Sequence, residues 1–147
     1  MNSVLVGVDH SETSRRALEF ALRRAQVNEW RVTVAHVINW SRFSFPTLEE
    51  NEQRPVTRKK ELKSARKDLI EPMLEWASAE GLLDGVEVDT AIHFGHPFEV
   101  LSELAADGGH DAIIVGRTGE SNLKTVIFGS TASRLVQHAP VPVVVVP

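Results

Sequence analysis

The chain has 147 residues, 42% of them hydrophobic and 24% charged, and this length and balance predict one soluble globular domain over residues 1–147. Its formal net charge of −4 disfavours nucleic-acid binding and membrane-surface binding, because both need a basic field. The lack of cysteine excludes disulfides and thiolate chemistry. The first residues lack the basic segment of a signal peptide, and no apolar run reaches the ~20 residues of a membrane span. We therefore expect a cytoplasmic protein without membrane insertion.

Short apolar runs alternate with helical patterns along the chain. The runs are mostly continuous, as expected for parallel strands that are buried on both faces. The helical patterns begin near Ser11–Ser14, Leu62, Pro97 and Ser130, and Pro72 is expected to kink or divide the second helix. The β-α-β-α-β-α-β-α-β order predicts an α/β fold, with a five-stranded parallel sheet and helices on both faces. We expect the strands at residues 4–9, 31–38, 85–92, 111–115 and 141–146.

The connection Asn39–Pro55 is long and polar, and we expect it to be irregular. A connection of this length is usually functional or mobile. It contains Trp40, Phe43 and Phe45, which either cover a pocket, meet a partner or fold back onto the domain. The basic run that follows, residues 54–67, has helical spacing, which favours a solvated face over the docking of an acidic partner.

The most informative segment is the glycine loop Gly116–Ser130. It follows a strand, contains Gly116 and Gly119, and ends in the pair Gly129-Ser130, which opens a helix. Glycines allow the backbone to approach a ligand closely, and a helix N-terminus offers N–H groups and partial positive charge to an anion. The segment is therefore predicted to bind the phosphates of a nucleotide, ATP in the first instance. Arg117, between the first two glycines, is the best placed cation.

Several other segments end at the same edge of the predicted sheet. Ligands of open α/β sheets bind outside the carboxyl ends of the strands, where the strand order reverses. Asp9, Val37–Asn39, Gly95 and Gly116 all lie at carboxyl ends. We therefore expect these four segments to converge on one binding rim.

The whole chain resembles the universal stress proteins. The family's ATP-binding pattern, G-2x-G-9x-G-[S/T], is met by Gly116, Gly119, Gly129 and Ser130. Supporting pieces are the Asp9-His10-Ser11 segment after the first strand, the His36-Val37 pair, the Gly95-His96-Pro97 turn and the apolar C-terminal strand. The resemblance implies a Rossmann-like fold of the adenine nucleotide alpha hydrolase type.

The resemblance also implies roles for individual residues. Asp9 would contact the nucleotide or its metal, and the backbone around Val37 would hold the adenine edge. The ribose and phosphates would lie along the glycine loop, next to Gly116, Gly119, Gly129, Ser130 and Thr131. His10 departs from the family, because many relatives have glycine there, and its imidazole would either crowd the site or help to hold phosphate.

A carboxylate beside phosphates is repulsive unless a cation lies between them, so a role for Asp9 there implies Mg²⁺ or Mn²⁺. Contact between Asp9 and the ribose is equally consistent with the sequence, as is a plain helix-capping role.

Three alternative functions remain at this point. The first is a slow ATPase, although no general base is evident beyond Asp9 and His10. The second is a nucleotidyltransferase built on His93 and His96 of the His93-Phe94-Gly95-His96 run, which is a weak match found after the wrong strand. The third is an interaction module of the same fold that binds no nucleotide.

The C-terminal strand Val143–Val146 predicts a homodimer. It is β-branched and apolar, and an exposed edge of that kind promotes aggregation unless it is paired. Members of the family pair this strand with its copy across a two-fold axis. An unknown protein partner is a further expectation, whereas nucleic acid is not.

Overall fold

The computed structural model of the chain describes residues 2–39, 48–119 and 128–147. Its five strands alternate with helices in the predicted order. The strands are β1 (Ser3–Gly7), β2 (Arg31–Asn39), β3 (Glu87–Gly95), β4 (Ala112–Gly116) and β5 (Val143–Val146). The helices are α1 (Glu12–Asn28), α2 (Leu48–Ala65), α3 (Glu71–Ala79), α4 (Pro97–Asp107) and α5 (Ser130–His138), with a π-helical turn (Arg66–Ile70) between α2 and α3.

All five strands are parallel and lie in the order β3-β2-β1-β4-β5. The chain moves outward from β1 to β2 and β3, then crosses back to β4 on the other side of β1. The strand order therefore reverses between β1 and β4, and the ends of these two strands define the switch point. The predicted fold class, a five-stranded parallel sheet in an α/β arrangement, is confirmed.

The helices form one layer on each face of the sheet. On one face, α1 and α3 cover a core that includes Val4, Val6, Leu18 and Leu22. On the other face, α4 and α5 cover a second core, which includes Leu5, Ile113, Leu101 and Leu135. Neighbouring residues of one strand thus enter opposite cores, which explains why the central strands β1 and β4 are continuously apolar.

The second helical region differs from the expectation in one part. The interpretation of Asn39–Pro55 as wholly irregular is wrong for its second half, because α2 begins at Leu48 and contains Pro55. The Glu- and Gln-rich sequence ahead of Pro55 favours helix, and one proline removes only one N–H donor from the ladder. The aromatic residues Trp40, Phe43 and Phe45 lie outside the described residues.

Pro72 divides the second helical region, as predicted. The π turn Arg66–Ile70 directly precedes α3, and Pro72 lies in the first turn of α3, where it needs no N–H. Leu69, Ile70 and Met73 are buried at this junction. The turn therefore lets the apolar side of α3 join the core on this face of the sheet, whereas the described side chains of α2, which precedes the turn, do not.

The bounds of three strands differ from the prediction by a few residues. β1 ends at Gly7 and not at residue 9, β3 runs to Gly95, paired with β2 along its whole length, and β5 begins only at Val143, after Pro142. Among the described residues, no helix has the length and apolar character needed to cross a membrane.

Candidate functional site

A cavity of about 670 Å³ opens at the carboxyl edge of the sheet, at the switch point between β1 and β4. Its size is in the range of small-molecule sites. The ends of β1, β2 and β4 form its floor, and the first turns of α1 and α5 form its sides. It is lined by nine of the ten residues predicted to bind a nucleotide: Asp9, His10, Val37, Gly116, Arg117, Gly119, Gly129, Ser130 and Thr131.

Gly116 brings the end of β4 against the start of α1. A Cβ at this position would lie 2.6 Å from the carbonyl carbon of Thr13 and 2.8 Å from the backbone nitrogen of Ser14. These contacts are with backbone atoms, so they cannot be relieved by turning a side chain. The glycine is required because a helix start and a strand end meet here, and that contact closes the floor of the cavity.

The glycine loop has a narrow neck, where its two ends are joined. The N–H of Gly129 donates to the carbonyl of Arg117 over 2.8 Å. The carbonyl of the next residue, Thr118, accepts from the hydroxyl of Thr13 over 2.6 Å. One hydrogen bond therefore joins the two ends of the neck, and a second joins the neck to α1. Residues 120–127, which form the outer part of the predicted loop, lie outside the described residues.

Asp9 holds Ser11, the N-cap residue of α1, and also faces the glycine loop. Its Oδ1 accepts from the N–H of Ser11 over 2.8 Å and from the Ser11 hydroxyl. Its Oδ2 lies 3.4 Å from the position that a Cβ on Gly119 would occupy. Ser11, and not Asp9, is the N-cap, so the capping role considered for Asp9 is wrong: the carboxylate orients the cap instead. The second oxygen lies close to Gly119 on the wall of the cavity, where a ligand or its metal would be within reach.

Two histidines line the cavity beside Asp9. Nδ1 of His36 lies 2.7 Å from the carbonyl oxygen of Val8, which can only accept, so the proton is on Nδ1. In the neutral ring this leaves Nε2 as an acceptor. His10 is exposed and packs edge-on against His36, with 6.4 Å between the ring centroids. His36 thus fixes one side of the His10 ring at the mouth of the cavity.

The N-terminus of α5 supplies the anion-binding side of the cavity. Gly129 is the N-cap, without a side-chain cap, and Ser130 and Thr131 begin the helix. The first N–H groups of a helix have no acceptor within it and carry partial positive charge. These groups, the Ser130 hydroxyl and the Arg117 side chain all border the same cavity.

Gly95 is the one predicted residue that does not line the cavity. Its φ is +142°, and a Cβ there would lie 2.8 Å from Cγ2 of Val100. Backbone conformation and close packing therefore account for this glycine without a ligand. Pro97, at the start of α4, lines the cavity in its place.

Sequence reasoning did not assign roles at the site to Ser14 or Thr118, although both line it. Ser14 is buried, and its hydroxyl accepts from the N–H of Asp9 over 2.7 Å. The placement of Ser14 in the first turn of α1 was the available signal. The hydrogen bond from Thr13 to the carbonyl of Thr118 joins segments far apart in the sequence, and no sequence pattern predicts it.

His93 and His96 do not contribute to the cavity. His93 is exposed on β3, and His96 is the N-cap of α4. Neither lines the site at the switch point. The geometry gives no support to a nucleotidyltransferase site in which two histidines meet the phosphates. Among the described residues there is also no group of three or more His, Cys, Asp or Glu side chains placed to hold a metal.

Comparisons with known proteins agree with this architecture. A homologue from Staphylococcus epidermidis that bears the universal stress protein name is 30% identical over 145 residues, which is 98% of this chain and 82% of the relative. The universal stress protein YxiE of Bacillus subtilis is 27% identical over 145 residues, 99% of this chain and 98% of its own.

Solved structures share the fold. The universal stress protein UspA from Lactobacillus plantarum has a TM-score of 0.82 and 25% identity, covering 99% of this chain and 97% of its own. A universal stress protein in complex with cAMP has a TM-score of 0.67 and 20% identity, covering 99% and 96%. One from Archaeoglobus fulgidus in complex with dAMP has a TM-score of 0.60 and 20% identity, covering 100% and 98%.

Residues 1–147 match the Universal stress protein family along their whole length. The chain belongs to the universal stress protein family.

Proposed function

We propose that this chain binds an adenine nucleotide, ATP, in the cavity at the switch point, and that it acts as a homodimeric, nucleotide-dependent regulatory protein of the stress response. The observation that carries the proposal is the convergence of the glycine neck, the N-terminus of α5 and the Asp9 carboxylate on one cavity. The proposed activity is binding, with a change in surface as its output, and rapid turnover is not part of it.

The phosphates are assigned to the α5 side of the cavity. There the first N–H groups of the helix and the Ser130 hydroxyl supply hydrogen-bond donors, and Arg117 supplies a charge. The arrangement differs from a P-loop, because the residue directly before Ser130 is Gly129 and not a lysine. Gly119 has no side chain to fill the space between the start of α5 and Asp9.

The adenine is assigned to the end of β2, beside Val37. Val37 is buried and lines the cavity, as do its neighbours His36 and Ile38. The open polar groups of the backbone at a strand end suit the edge of a purine.

The divalent cation, Mg²⁺ or Mn²⁺, is assigned to Oδ2 of Asp9. This single carboxylate fits a cation that arrives with the nucleotide, because Mg²⁺ commonly keeps one or two carboxylates, waters and phosphate oxygens as ligands. When bound, the cation offsets the repulsion between Asp9 and the phosphates.

The solved relatives support a purine nucleotide in general. Two proteins of the same fold were solved with cAMP and with dAMP. The preference for ATP rests on the spacing of Gly116, Gly119, Gly129 and Ser130.

The output of binding is assigned to two segments next to the cavity in the sequence, the Gly116–Ser130 loop and the Asn39–Pro55 connection. Nucleotide would order them and alter the surface that a protein partner meets in the cytoplasm. A ligand can shift such an equilibrium only through a difference in its affinity for the two states. Hydrogen exchange measured with and without ATP tests this step: equal protection in both segments would exclude the switch while leaving the binding site in place.

Calorimetry of the purified chain with ATP and Mg²⁺ tests the site itself, with Ser130→Asp as the matched variant. A carboxylate at the start of α5 is favourable for the helix, so this variant keeps its stability, but it repels phosphate. We expect heat of binding from the native chain and at least about tenfold weaker binding by the variant, a plausible cost for a like charge placed beside the phosphates. Equal binding by the two proteins would place the phosphates elsewhere.

A further inference from the structure

The helix α2 has a different environment from the other long helices. Among the described residues, its close packing is with the π turn that continues it, whereas α1, α4 and α5 pack on the sheet. Its Arg58 guanidinium lies 5.5 Å from the centre of the Phe94 ring, so α2 passes the carboxyl end of β3. Most of its surface from Pro55 onward is exposed. Packing within the fold therefore does not explain which side chains α2 exposes on its surface.

The charge of the chain is concentrated in this region. Residues 54–67 contain seven Lys or Arg residues and one Glu, a formal charge of +6, which leaves −10 on the remaining 133 residues. A net charge of −4 conceals this division. The chain thus carries a basic segment and an acidic body, which are complementary to one another in a second copy.

The cations border a groove on α2 and the π turn. The groove has a volume of about 430 Å³. Leu62 is half-buried and forms an aliphatic floor between the exposed Lys59 and Lys63. The basic groove, as we name it, is lined by Lys59, Leu62, Lys63, Arg66, Lys67 and Glu71.

The exposed side of α4 has the same pattern with opposite charge. On α2, Lys59, Leu62 and Lys63 follow an i, i+3, i+4 spacing, with an apolar residue between two cations. On α4, Glu103, Ala106 and Asp107 have the same spacing, and all three are exposed. We name these three residues the acidic stripe.

The two patterns match in length and shape. Residues four apart on a helix lie about 6 Å apart along its axis, so two ion pairs can form at once when the helices pack side by side. The small side chain of Ala106 would allow close approach over Leu62. α4 lies on one face of the sheet and the π turn lies with the helices of the opposite face, so the pairing joins separate molecules.

We propose that the basic groove docks on the acidic stripe of a second copy of this chain. Two features favour this occupant over a polyanion such as nucleic acid or an anionic membrane. The −10 charge of the body repels a polyanion, and Glu71 places a carboxylate in the groove itself. The contact is heterologous, because it joins two different surfaces, and it therefore builds rings or open chains of molecules. It is separate from the pairing of β5 and from the nucleotide site.

Sedimentation velocity over a series of protein concentrations tests the proposal. At low salt, about 0.05 M, we expect the mean sedimentation coefficient to rise with concentration, and at about 0.5 M salt, where charges are screened within a few ångströms, the rise is lost. The variant Lys59→Glu/Lys63→Glu should weaken the association at low salt by about tenfold or more, as expected for two surface ion pairs.

The matched control is Arg16→Glu/Lys60→Glu, which changes the net charge by the same amount at exposed positions outside the groove. It should associate like the native chain. Mixing the Lys59→Glu/Lys63→Glu variant with Glu103→Lys/Asp107→Lys should restore association, because each then carries the charges that the other lost. Circular dichroism melting curves establish that the variants are folded.

Three results would overturn the proposal. They are sedimentation of the native chain that does not depend on salt, an equal loss of association in the control, and a mixture of the two charge-reversed variants that fails to associate. Binding of a double-stranded oligonucleotide by the native chain but not by Lys59→Glu/Lys63→Glu would assign the groove to a polyanion instead.

Discussion

The two oxygens of the Asp9 carboxylate have different surroundings. Oδ1 accepts two hydrogen bonds from Ser11, at the start of α1, whereas Oδ2 lies close to Gly119 on the wall of the cavity. The sequence predicted a functional Asp at a strand end and a helix-capping role compatible with it. In the fold the cap is Ser11, and Asp9 accepts from it, because β1 leads directly into the start of α1.

Substitutions at Asp9 separate the two roles. Asp9→Asn retains an acceptor for Ser11 and loses the charge, so we expect unchanged stability and loss of the enhancement of ATP binding by Mg²⁺. Asp9→Ala should also lose the two hydrogen bonds from Ser11, at a cost of about 1 kcal/mol in the free energy of unfolding. Urea unfolding and calorimetry with and without Mg²⁺ measure the two effects. Mg²⁺ enhancement that persists in Asp9→Asn would remove the metal from this residue.

The glycines of the ATP-binding pattern do not all act in the same way. A Cβ at Gly116 would collide with the backbone of Thr13 and Ser14, whereas a Cβ at Gly119 would meet Oδ2 of Asp9 at an ordinary contact distance of 3.4 Å. Gly116→Ala is therefore expected to lower the free energy of unfolding by about 1–3 kcal/mol, the usual cost of overpacking. Gly119→Ala should fold normally and weaken nucleotide binding. Denaturant unfolding that found Gly116→Ala as stable as Gly119→Ala would contradict this division.

At the scale of elements, the order of strands and helices was predictable because the central strands are buried on both faces and form apolar runs, while the edge strands keep enough apolar residues to be recognised. The carboxyl-edge site followed from that order, since parallel strands end at one edge. The helical part of residues 48–55 was missed because Pro55 and the polar composition were given more weight than the helix propensity of the Glu and Gln residues. The break at Pro72 was predicted, but the π turn that accommodates it depends on packing of Leu69 and Ile70 against the sheet.

The amino-terminal ends of the strands, on the far side of the sheet from the cavity, contain a cluster that no sequence pattern indicated. The hydroxyl of Ser3 lies 2.7 Å from Nδ1 of His110, and the N–H of Ser3 donates to Asp111 over 2.8 Å. These bonds join the start of β1 to the residues before β4. Burial lowers the pKa of His110 below its ordinary value of 6.5, an effect opposed by Asp111 and reinforced by Arg31.

This lowered pKa of His110 predicts a dependence of stability on pH. The unfolded chain takes up a proton on His110 near pH 6.5 while the folded chain does not, so stability is complete above that pH and falls as the pH drops below it. We expect the melting temperature of the native chain to fall more than that of His110→Asn between about pH 7.5 and pH 5.5, where carboxylates remain ionised. Parallel melting curves for the two proteins would contradict it.

At the scale of the molecule, the sheet has two edges with different chemistry. The β3 edge presents the exposed charges of Glu87 and Asp89, which discourage pairing with another strand. The β5 edge presents only valines, and Val144 is 36% exposed. The predicted homodimer therefore requires β5 rather than β3. The strand order placed β5 at an edge, which the sequence alone did not establish.

A charge on β5 tests the homodimer. Val144→Lys should give a folded monomer, because the side chain is partly exposed within one chain but would lie in the seam between two. Light scattering after size-exclusion chromatography at about 0.5 M salt, where surface ion pairs are screened, gives the mass. The native chain should have the mass of a dimer under the same conditions. A native-like dimer formed by Val144→Lys would exclude the β5 seam.

The central claim is that the cavity at the switch point holds an adenine nucleotide. The most direct measurement is to purify the chain without added ligand, denature it, and identify any released small molecule by chromatography and mass spectrometry, with Ser130→Asp treated identically. We expect ATP or a breakdown product of it from the native chain and little or none from the variant. A native chain that releases no nucleotide and gives no heat on titration with ATP and Mg²⁺ would exclude the nucleotide site, and the fold would then stand as an interaction module without a nucleotide.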